Sequence, residues 1–247
     1  MPDPFLRFVD IHKRFGPKVV LQGVDLEVAA GETCVVLGGS GSGKSVLLRH
    51  AVGLHKPDRG EVWVDGTDIS NLDEEELIEP RKKVGMLFQS GALFDSMTVG
   101  ENVGYALEEH TDWDEDRILA RVEEVLGLVE LEGVLDLMPS DLSGGMKKRV
   151  ALARAIALAP RGILYDEPTT GLDPITATTI NELIRSLQKK LGVTSIVVTH
   201  DIHSAFTVGD KIAFLHEGRI LFHGTTEEAR KAPVPLLRKF LEGGGYA

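Results

Sequence analysis

The sequence is short of cysteine and of long apolar runs. Cys34 is the single cysteine among 247 residues, so no internal disulfide can form, which fits a reducing compartment. Its place in the apolar stretch ETCVVLGG predicts a buried core thiol. No apolar run approaches the roughly 20 residues that span a bilayer. The opening stretch MPDPFLRFVD lacks the basic and apolar regions of a signal peptide. We therefore expect a soluble, cytoplasmic chain.

Positive charge is also in short supply. The 27 Lys and Arg residues face 38 Asp and Glu residues, which gives a formal net charge of −11. Nucleic acid is disfavoured as the main partner, because its phosphates require a broad basic surface, whereas a single nucleotide needs only a local site. Two charged runs, EEHTDWDEDR and MKKRV, could bind a metal ion and an anion respectively. We expect both to be solvated faces instead.

Strand and helix patterns alternate along the chain. FLRFVDIHKRF and KVVLQGVDLEV show the alternation of half-buried strands, and TCVVL, KVGMLFQ, GILYD and TSIVVT are compact apolar strands. DEEELIEP predicts a short acidic helix closed by Pro80. DKIAFLHEGRILFHG predicts a hairpin that turns at Glu217 and Gly218, and Thr225 with Glu228 fits a capping box.

Helical patterns dominate from Ser90 to about Pro160. The order of elements predicts an α/β fold with a mostly parallel core, an antiparallel β portion and an inserted α-helical subdomain. We place the core at residues 1–88 and 161–247 and the helical subdomain at residues 89–160.

The segment GGSGSGKS, residues 38–45, fits the P-loop pattern G-x-x-x-x-G-K-[ST]. It follows an apolar strand and opens a helix, which is the context that this motif requires. Glycines allow backbone N–H groups to surround a phosphate, and the helix N-terminus adds partial positive charge. We expect Lys44 to reach the β- and γ-phosphates of ATP and the Ser45 hydroxyl to bind Mg²⁺.

A P-loop needs a second, acidic partner for the metal ion. GILYDE supplies one, because Asp166 and Glu167 come at the end of an apolar strand. Asp166 can hold Mg²⁺ through water. Glu167 would then lie beside the γ-phosphate and activate an attacking water as a general base.

These motifs, together with LSGGM at residues 142–146, resemble the ATP-binding cassette of ABC transporters over nearly the whole chain, about residues 5–241. The resemblance implies the RecA-like P-loop NTPase core of an ABC ATPase. LSGGM corresponds to the signature that most members write LSGGQ. Met146 departs from it, and this puts only the hydrogen bonding of the last position in doubt.

The resemblance also assigns roles. Gln89 corresponds to the Q-loop glutamine near Mg²⁺ and the transport subunit, and His200 in VVTHD to the switch histidine at the γ-phosphate. Phe15 stands where an aromatic ring stacks on adenine, and its loss of the usual hydroxyl leaves the ring face. The implied catalytic residues are Glu167, His200, Gln89 and Lys44. The implied metal ligands are Ser45, Gln89 and Asp166. The implied nucleotide contacts are Phe15, Gly38, Gly39, Ser40, Gly41, Ser42, Gly43, Lys44, Ser45, Val46, Ser143, Gly144 and Gly145.

In this family, two cassettes meet head to tail and enclose ATP between them. The resemblance therefore implies that Ser143 and the amides of Gly144 and Gly145 cover the nucleotide held by the P-loop of another copy. Ser143, Gly145 and Asp173 of the D-loop GLD would lie at that interface. A homodimer, or a pair with a related chain, is implied, because one chain carries two half-sites.

Within the family, LFQSGALFDSMTVGENV, LMPSDLSGGM and DEPTTGLDPIT look like the Mla/Mce-type lipid-transport ATPases. This implies phospholipid transport between membranes and a position on the inner face of the cytoplasmic membrane. The implied partners are integral membrane permease subunits, an MCE-domain lipid-binding subunit and a small STAS-type regulatory subunit. The alternatives are the ATPase of a polar small-solute importer, a soluble ABC protein of translation or DNA repair, and a regulatory nucleotide-binding module without turnover.

Overall fold

The computed structural model describes residues 4–243, in which the strands form two sheets. In chain order the strands are β1 (Leu6–Phe15), β2 (Lys18–Val28), β3 (Thr33–Leu37), β4 (Arg59–Val64), β5 (Thr67–Asp68), β6 (Val84–Leu87), β7 (Gly162–Asp166), β8 (Thr194–Thr199), β9 (Lys211–His216) and β10 (Arg219–Thr225). Four of them form an antiparallel sheet in the order β2-β1-β4-β5, and six form a second sheet in the order β10-β9-β3-β8-β7-β6.

The six-stranded sheet is parallel except for β10, which pairs antiparallel with β9. Strand β8 lies between β3 and β7, and all three run in the same direction. Their carboxyl ends are Leu37, Asp166 and Thr199, which therefore meet at one edge of the sheet. In open α/β sheets this edge is where ligands bind.

Helices surround both faces of this sheet. In chain order they are α1 (Lys44–His50), α2 (Ile78–Lys82), α3 (Val99–His110), α4 (Glu115–Leu128), α5 (Gly144–Ile156), α6 (Pro174–Leu191), α7 (Ile202–Val208), α8 (Thr226–Lys231) and α9 (Pro235–Gly243), with a 3₁₀ turn at Pro139–Asp141. The predicted run of helices between two parallel strands is confirmed, because α3, α4 and α5 lie between β6 and β7. The limits at 88/89 and 160/161 stay a prediction, and residues 1–3 and 244–247 lie outside the described residues.

Strand β3 shows how the core is divided. Its side chains alternate, so that Cys34 and Val36 pack with the antiparallel sheet and α1, whereas Val35 and Leu37 pack with α3, α4 and α5. Burial raises the pKa of the Cys34 thiol to about 12, as expected for an inert core residue. The same strand therefore supports both hydrophobic clusters and carries the segment at residues 38–45 at its end.

Local capping explains several element boundaries. The predicted hairpin is confirmed, and both turn residues have positive φ, +46° at Glu217 and +75° at Gly218, as a type I′ turn requires. The predicted capping box is confirmed as well, because Thr225 Oγ1 accepts from the N–H of Glu228 and the Glu228 carboxylate accepts from the N–H of Thr225.

The predicted acidic helix that ends at Pro80 is wrong. Residues 74–77 form a turn, in which Asp73 and Glu76 exchange side-chain-to-backbone hydrogen bonds, and α2 begins only at Ile78. Pro80 therefore lies within the first turn of the helix instead of closing it. A proline is tolerated there, because N–H groups of the first turn have no intrahelical acceptor.

Candidate active site

The segment Gly38–Ser45 links the end of β3 to the start of α1 and depends on its glycines. A Cβ on Gly38 would lie 2.3 Å from the carbonyl oxygen of Leu215, and one on Gly43 would lie 2.9 Å from Leu21 Cδ2. Gly43 also has a φ of +107°, which side chains disfavour. The turn can therefore pack this tightly against its neighbours only with glycine at these positions.

Lys44 is buried at the base of the turn, with 6% of its surface exposed. Its ammonium donates to the carbonyl oxygens of Gly38 at 2.9 Å and Gly39 at 3.1 Å, and it lies 3.5 Å from Glu167 Oε1. Nearby, the buried Ser42 hydroxyl has no hydrogen-bond partner among residues 4–243. A buried cation and an unsatisfied hydroxyl in a glycine-lined turn fit the oxygens of a phosphate group.

Ser45 and Asp166 come together across the sheet edge. The Ser45 hydroxyl donates to Asp166 Oδ1 at 2.6 Å, and Asp166 is 2% exposed. Gln89 and Asp166 line one cavity with Thr170. These hard oxygen donors fit Mg²⁺. Within the described part of the chain, no three His, Cys, Asp or Glu side chains are grouped to hold a metal ion by themselves.

Glu167 is held by several donors at once. Its Oε2 accepts from His200 Nδ1 at 2.9 Å, from Thr170 Oγ1 at 3.0 Å and from Thr199 Oγ1 at 3.4 Å. The residue is buried and its backbone has a φ of +50°, an unusual conformation for a side chain that often accompanies function. The carboxylate, the histidine and the Lys44 ammonium thus form one connected cluster.

The serine and glycines of LSGGM begin α5. Ser143 is the N-cap and accepts from the N–H of Met146 at 3.3 Å, as predicted for a helix start. A Cβ on Gly145 would lie 2.7 Å from Thr176 Cγ2, so Gly145 permits close packing against α6. Met146, where the resemblance leads us to expect glutamine, packs against the hydrophobic core.

Ser143 is exposed and lines neither the cavity with Asp166 nor the cavity with His200. Asp173, the N-cap of α6, is exposed too and accepts from the N–H groups of Ile175 and Thr176. The Thr176 hydroxyl lowers the pKa of the Asp173 carboxyl. The chain thus presents its second glycine motif on the surface.

Phe15 ends β1 and is 43% exposed. Its ring makes a T-shaped contact with His55 at 5.3 Å between centroids, and the Lys13 ammonium lies 5.5 Å from its centroid. Lys13 is in turn bound to the carbonyl oxygen of Lys56 and to Asp58. The ring is therefore supported from the chain side and accessible from solvent, as a stacking platform requires.

Sequence reasoning missed the role of Lys148 in this site, and the expectation that MKKRV is a solvated face is wrong for this residue. Lys148 is buried and its ammonium donates to the carbonyl oxygen of Gln89. Burial lowers its pKa, while Asp166 and Glu167 oppose that shift. The helical period could have predicted this burial, because Lys148 shares a helix face with the fully buried Ala151 and Leu152, three and four residues later.

Arg154, on the same helix, donates to the carbonyl oxygens of Gly91 and Ala92. Together with Lys148 it attaches α5 to the segment that follows β6. Gln89 is thus fixed through its backbone by the helix that begins at Ser143.

Comparisons with known proteins agree on one family. Residues 21–170 match the family described as ABC transporter. The chain is 42% identical over 95% of its length to the intermembrane phospholipid transport system ATP-binding protein MlaF of Escherichia coli, of which it covers 87%. It is 40% identical over 98% of its length to the chloroplastic protein trigalactosyldiacylglycerol 3 of Arabidopsis thaliana, of which it covers 74%.

A third relative is the probable ribonucleotide transport ATP-binding protein mkl of Mycobacterium leprae, 42% identical over 94% of this chain and 67% of its own length. Among solved structures, the ATP-binding cassette MJ0796, a dimer in a post-hydrolysis state bound to ADP and Pi, superposes with a TM-score of 0.81 at 35% identity. That match covers 89% of this chain and 98% of the other.

None of the helices described between residues 4 and 243 has the length and hydropathy of a membrane span.

Proposed function

Since the chain belongs to the ABC transporter family and is an ABC ATPase, we propose that it powers lipid transport of the Mla/Mce type, as a head-to-tail homodimer on a membrane permease. The observation that carries the nucleotide chemistry is the convergence of Lys44, the Ser45–Asp166 pair and the Glu167–His200 pair at the carboxyl edge of the six-stranded sheet. Each side chain there has a charge or donor that matches one part of an ATP–Mg²⁺ complex.

We assign the triphosphate to the turn at Gly38–Val46 and the adenine to Phe15. The Lys44 ammonium would exchange the carbonyl oxygens of Gly38 and Gly39 for β- and γ-phosphate oxygens. Ser45, Gln89 and Asp166 would hold Mg²⁺, which when bound neutralises charge on the phosphate oxygens. The 2.6 Å contact between Ser45 and Asp166 supports this assignment, because a cation can bind between two such oxygens.

Glu167 is the proposed general base. Its carboxylate would accept a proton from the attacking water, while His200 would contact the γ-phosphate. The burial of Glu167 and its location beside Lys44 support this role, because both keep the carboxylate close to the transferred phosphoryl group.

Closure of the site requires a second copy in this proposal. Ser143, Gly144 and Gly145 of one chain would cover the ATP on the P-loop of the other, with Asp173 at the interface. The exposure of Ser143 supports this arrangement, as does its absence from the cavities lined by Asp166 and His200. ATP would thus join two chains, and hydrolysis would release them.

Replacement of Ser143 by arginine should block ATP-dependent dimer formation, because a long cation would occupy the position of the serine that contacts the γ-phosphate. ATP should still bind to the P-loop with an affinity within about threefold of the parent, because that surface is unchanged. Light scattering with ATP and EDTA measures the dimer, and a fluorescent ATP analogue measures binding. Undiminished dimerisation of the variant would contradict the two-chain site.

A groove beside the segment that follows Gln89 is the proposed docking surface for the permease. Phe94 and Tyr105 line it with their rings 5.1 Å apart, and both are more than a third exposed. Arg154 lines the same groove and binds the backbone of Gly91. A cytoplasmic helix of the permease that packed there would contact the segment carrying Gln89.

Transport of lipid rests on the relatives. The name of the Escherichia coli relative specifies intermembrane phospholipid transport. We extend that activity to this chain, with an MCE-domain lipid-binding subunit, a STAS-type regulatory subunit and a position on the inner face of the cytoplasmic membrane as its corollaries. The name of the Mycobacterium leprae relative specifies ribonucleotide transport, and it favours a polar-solute transporter as the second candidate.

Purification of the chain with its native permease separates these candidates. Mass spectrometry of the complex should find co-purified phospholipid above the level in a mock purification from the same membranes. The Glu167→Gln complex, trapped with ATP, should retain a different amount of lipid from the nucleotide-free complex. Stimulation of ATPase activity by a ribonucleotide, with no lipid above the mock level, would favour the second candidate instead.

A further inference from the structure

We propose that Thr170 is a positioning residue, which keeps the Glu167 carboxylate oriented toward the attacking water while ATP occupies the site. This inference rests on the proposed role of Glu167 as the general base. It assigns a specific task to a hydroxyl that the phosphate-binding motifs do not include.

The two residues are joined by a short, local connection. Thr170 Oγ1 donates to Glu167 Oε2 at 3.0 Å, and the N–H of Thr170 donates to the carbonyl oxygen of Glu167 at 3.3 Å. The backbone of Glu167 is held in place as well. Its N–H donates to the carbonyl oxygen of Val198 at 2.9 Å, and its φ is +50°. The backbone therefore fixes the position of the Glu167 Cβ atom, and the hydrogen bond from the Thr170 hydroxyl fixes the orientation of the carboxylate.

The other groups near the carboxylate either have a proposed role at the phosphates or lie farther from it. Lys44 and His200 both have proposed roles at the phosphates, and the His200 side chain is half exposed, so it can move toward a ligand. The Thr199 hydroxyl lies farther away, at 3.4 Å from Oε2, and accepts from the N–H of Asp201 at 3.0 Å. Thr170 is thus the short-range donor that still binds the Glu167 carboxylate when Lys44 and His200 contact the nucleotide.

The position of Thr170 fits this task. It lines the cavity that contains Asp166 and Gln89, and it also lines the cavity that contains His200. Thr170 therefore lies between the proposed metal side and the proposed γ-phosphate side of the site. With Oε2 held by Thr170, Oε1 is left to accept the proton of the water. As the water oxygen bonds to the γ-phosphorus, the bond from that phosphorus to the ADP oxygen breaks.

The test compares Thr170→Val, Thr170→Ser and the control Thr207→Val in the full-length chain. Valine keeps the shape of threonine and removes the hydroxyl, whereas serine keeps the hydroxyl. Thr207 is an exposed threonine on α7 whose hydroxyl donates to the carbonyl oxygen of His203. A small displacement of a catalytic group lowers rates by up to about 100-fold. We expect Thr170→Val to lower kcat at least about tenfold, with KM for ATP within about twofold.

A second measurement does not depend on steady-state turnover. The lifetime of the ATP-joined dimer after dilution, followed by light scattering, should lengthen at least about tenfold in Thr170→Val, because dissociation waits for hydrolysis. Thr170→Ser should keep both quantities within about threefold of the parent, and Thr207→Val should leave both unchanged. If Thr170→Val and Thr170→Ser lose thermal stability and kcat to the same extent, the role of Thr170 is structural, and the proposal is overturned.

Glu167→Gln, measured in parallel, separates this inference from the proposed function. If Glu167→Gln stops hydrolysis while Thr170→Val has a normal kcat and a normal dimer lifetime, Thr170 does not position the base, and the proposed function stands. If Glu167→Gln hydrolyses ATP at the parental rate, the assignment of the base is wrong, and the inference about Thr170 is overturned with it.

Discussion

Replacement of Glu167 by glutamine should lower kcat by roughly 10²- to 10⁴-fold, the range that a general base contributes. The amide keeps the size of the carboxylate and its capacity to accept hydrogen bonds from Thr170 and His200, but it cannot take the proton of the attacking water. ATP binding should survive, because the P-loop contacts remain. Phosphate release in a coupled assay measures the rate.

The same variant should accumulate as an ATP-bound dimer, because binding joins the chains and the step that separates them is blocked. Size-exclusion chromatography with Mg-ATP measures this shift. Glu182→Gln is the matched control, since Glu182 is an exposed glutamate on α6. Normal turnover in the Glu167 variant, or equal losses in the control, would remove Glu167 from the mechanism.

Replacement of Lys44 by alanine should weaken ATP binding at least about tenfold, because a hydrogen bond from a charged donor contributes about 1.5–3 kcal/mol. The loss should be much smaller for adenosine, which lacks the phosphates that Lys44 contacts in the proposal. Isothermal titration calorimetry with both ligands measures the difference. Lys190→Ala, an exposed lysine near the end of α6, is the control.

Lys44 also has a partner within the chain, the carboxylate of Glu167 at 3.5 Å. Its removal leaves that buried carboxylate without the adjacent cation, so some loss of thermal stability is expected as well. Circular dichroism at the temperature of the binding assay establishes that the variant is folded. Tight ATP binding by folded Lys44→Ala would refute the contact assigned to the lysine.

The sequence was enough to predict the backbone features on which the candidate site is built. Gly38 and Gly43 predict a turn too tight for side chains, and the apolar run before Asp166 predicts the strand that this residue ends. Because parallel strands align their carboxyl ends, these separate stretches had to meet. The hairpin at Glu217 and Gly218 was equally predictable, since its turn type demands positive φ.

Contacts between side chains and distant backbone were not predictable in the same way. Lys148 is charged and stands in a basic run, yet the tertiary fold buries it against the carbonyl oxygen of Gln89. Thr170 becomes notable only once Glu167 is seen to turn back toward it. The stretch before Pro80 was also predicted incorrectly. Asp73 and Glu76 exchange bonds in the pattern of a capping box, yet residues 74–77 form only a turn and the helix begins at Ile78.

In the proposed dimer, one ATP is enclosed by the P-loop of one chain and the LSGGM segment of another. A structure of the Glu167→Gln variant with Mg-ATP tests it directly. We expect two nucleotides per dimer, each with its γ-phosphate near Lys44 of one copy and within about 3 Å of Ser143 Oγ of the other. A structure in which a single chain supplies both Lys44 and Ser143 to one nucleotide would rule out the two-chain site, as would a Ser143 remote from any phosphate.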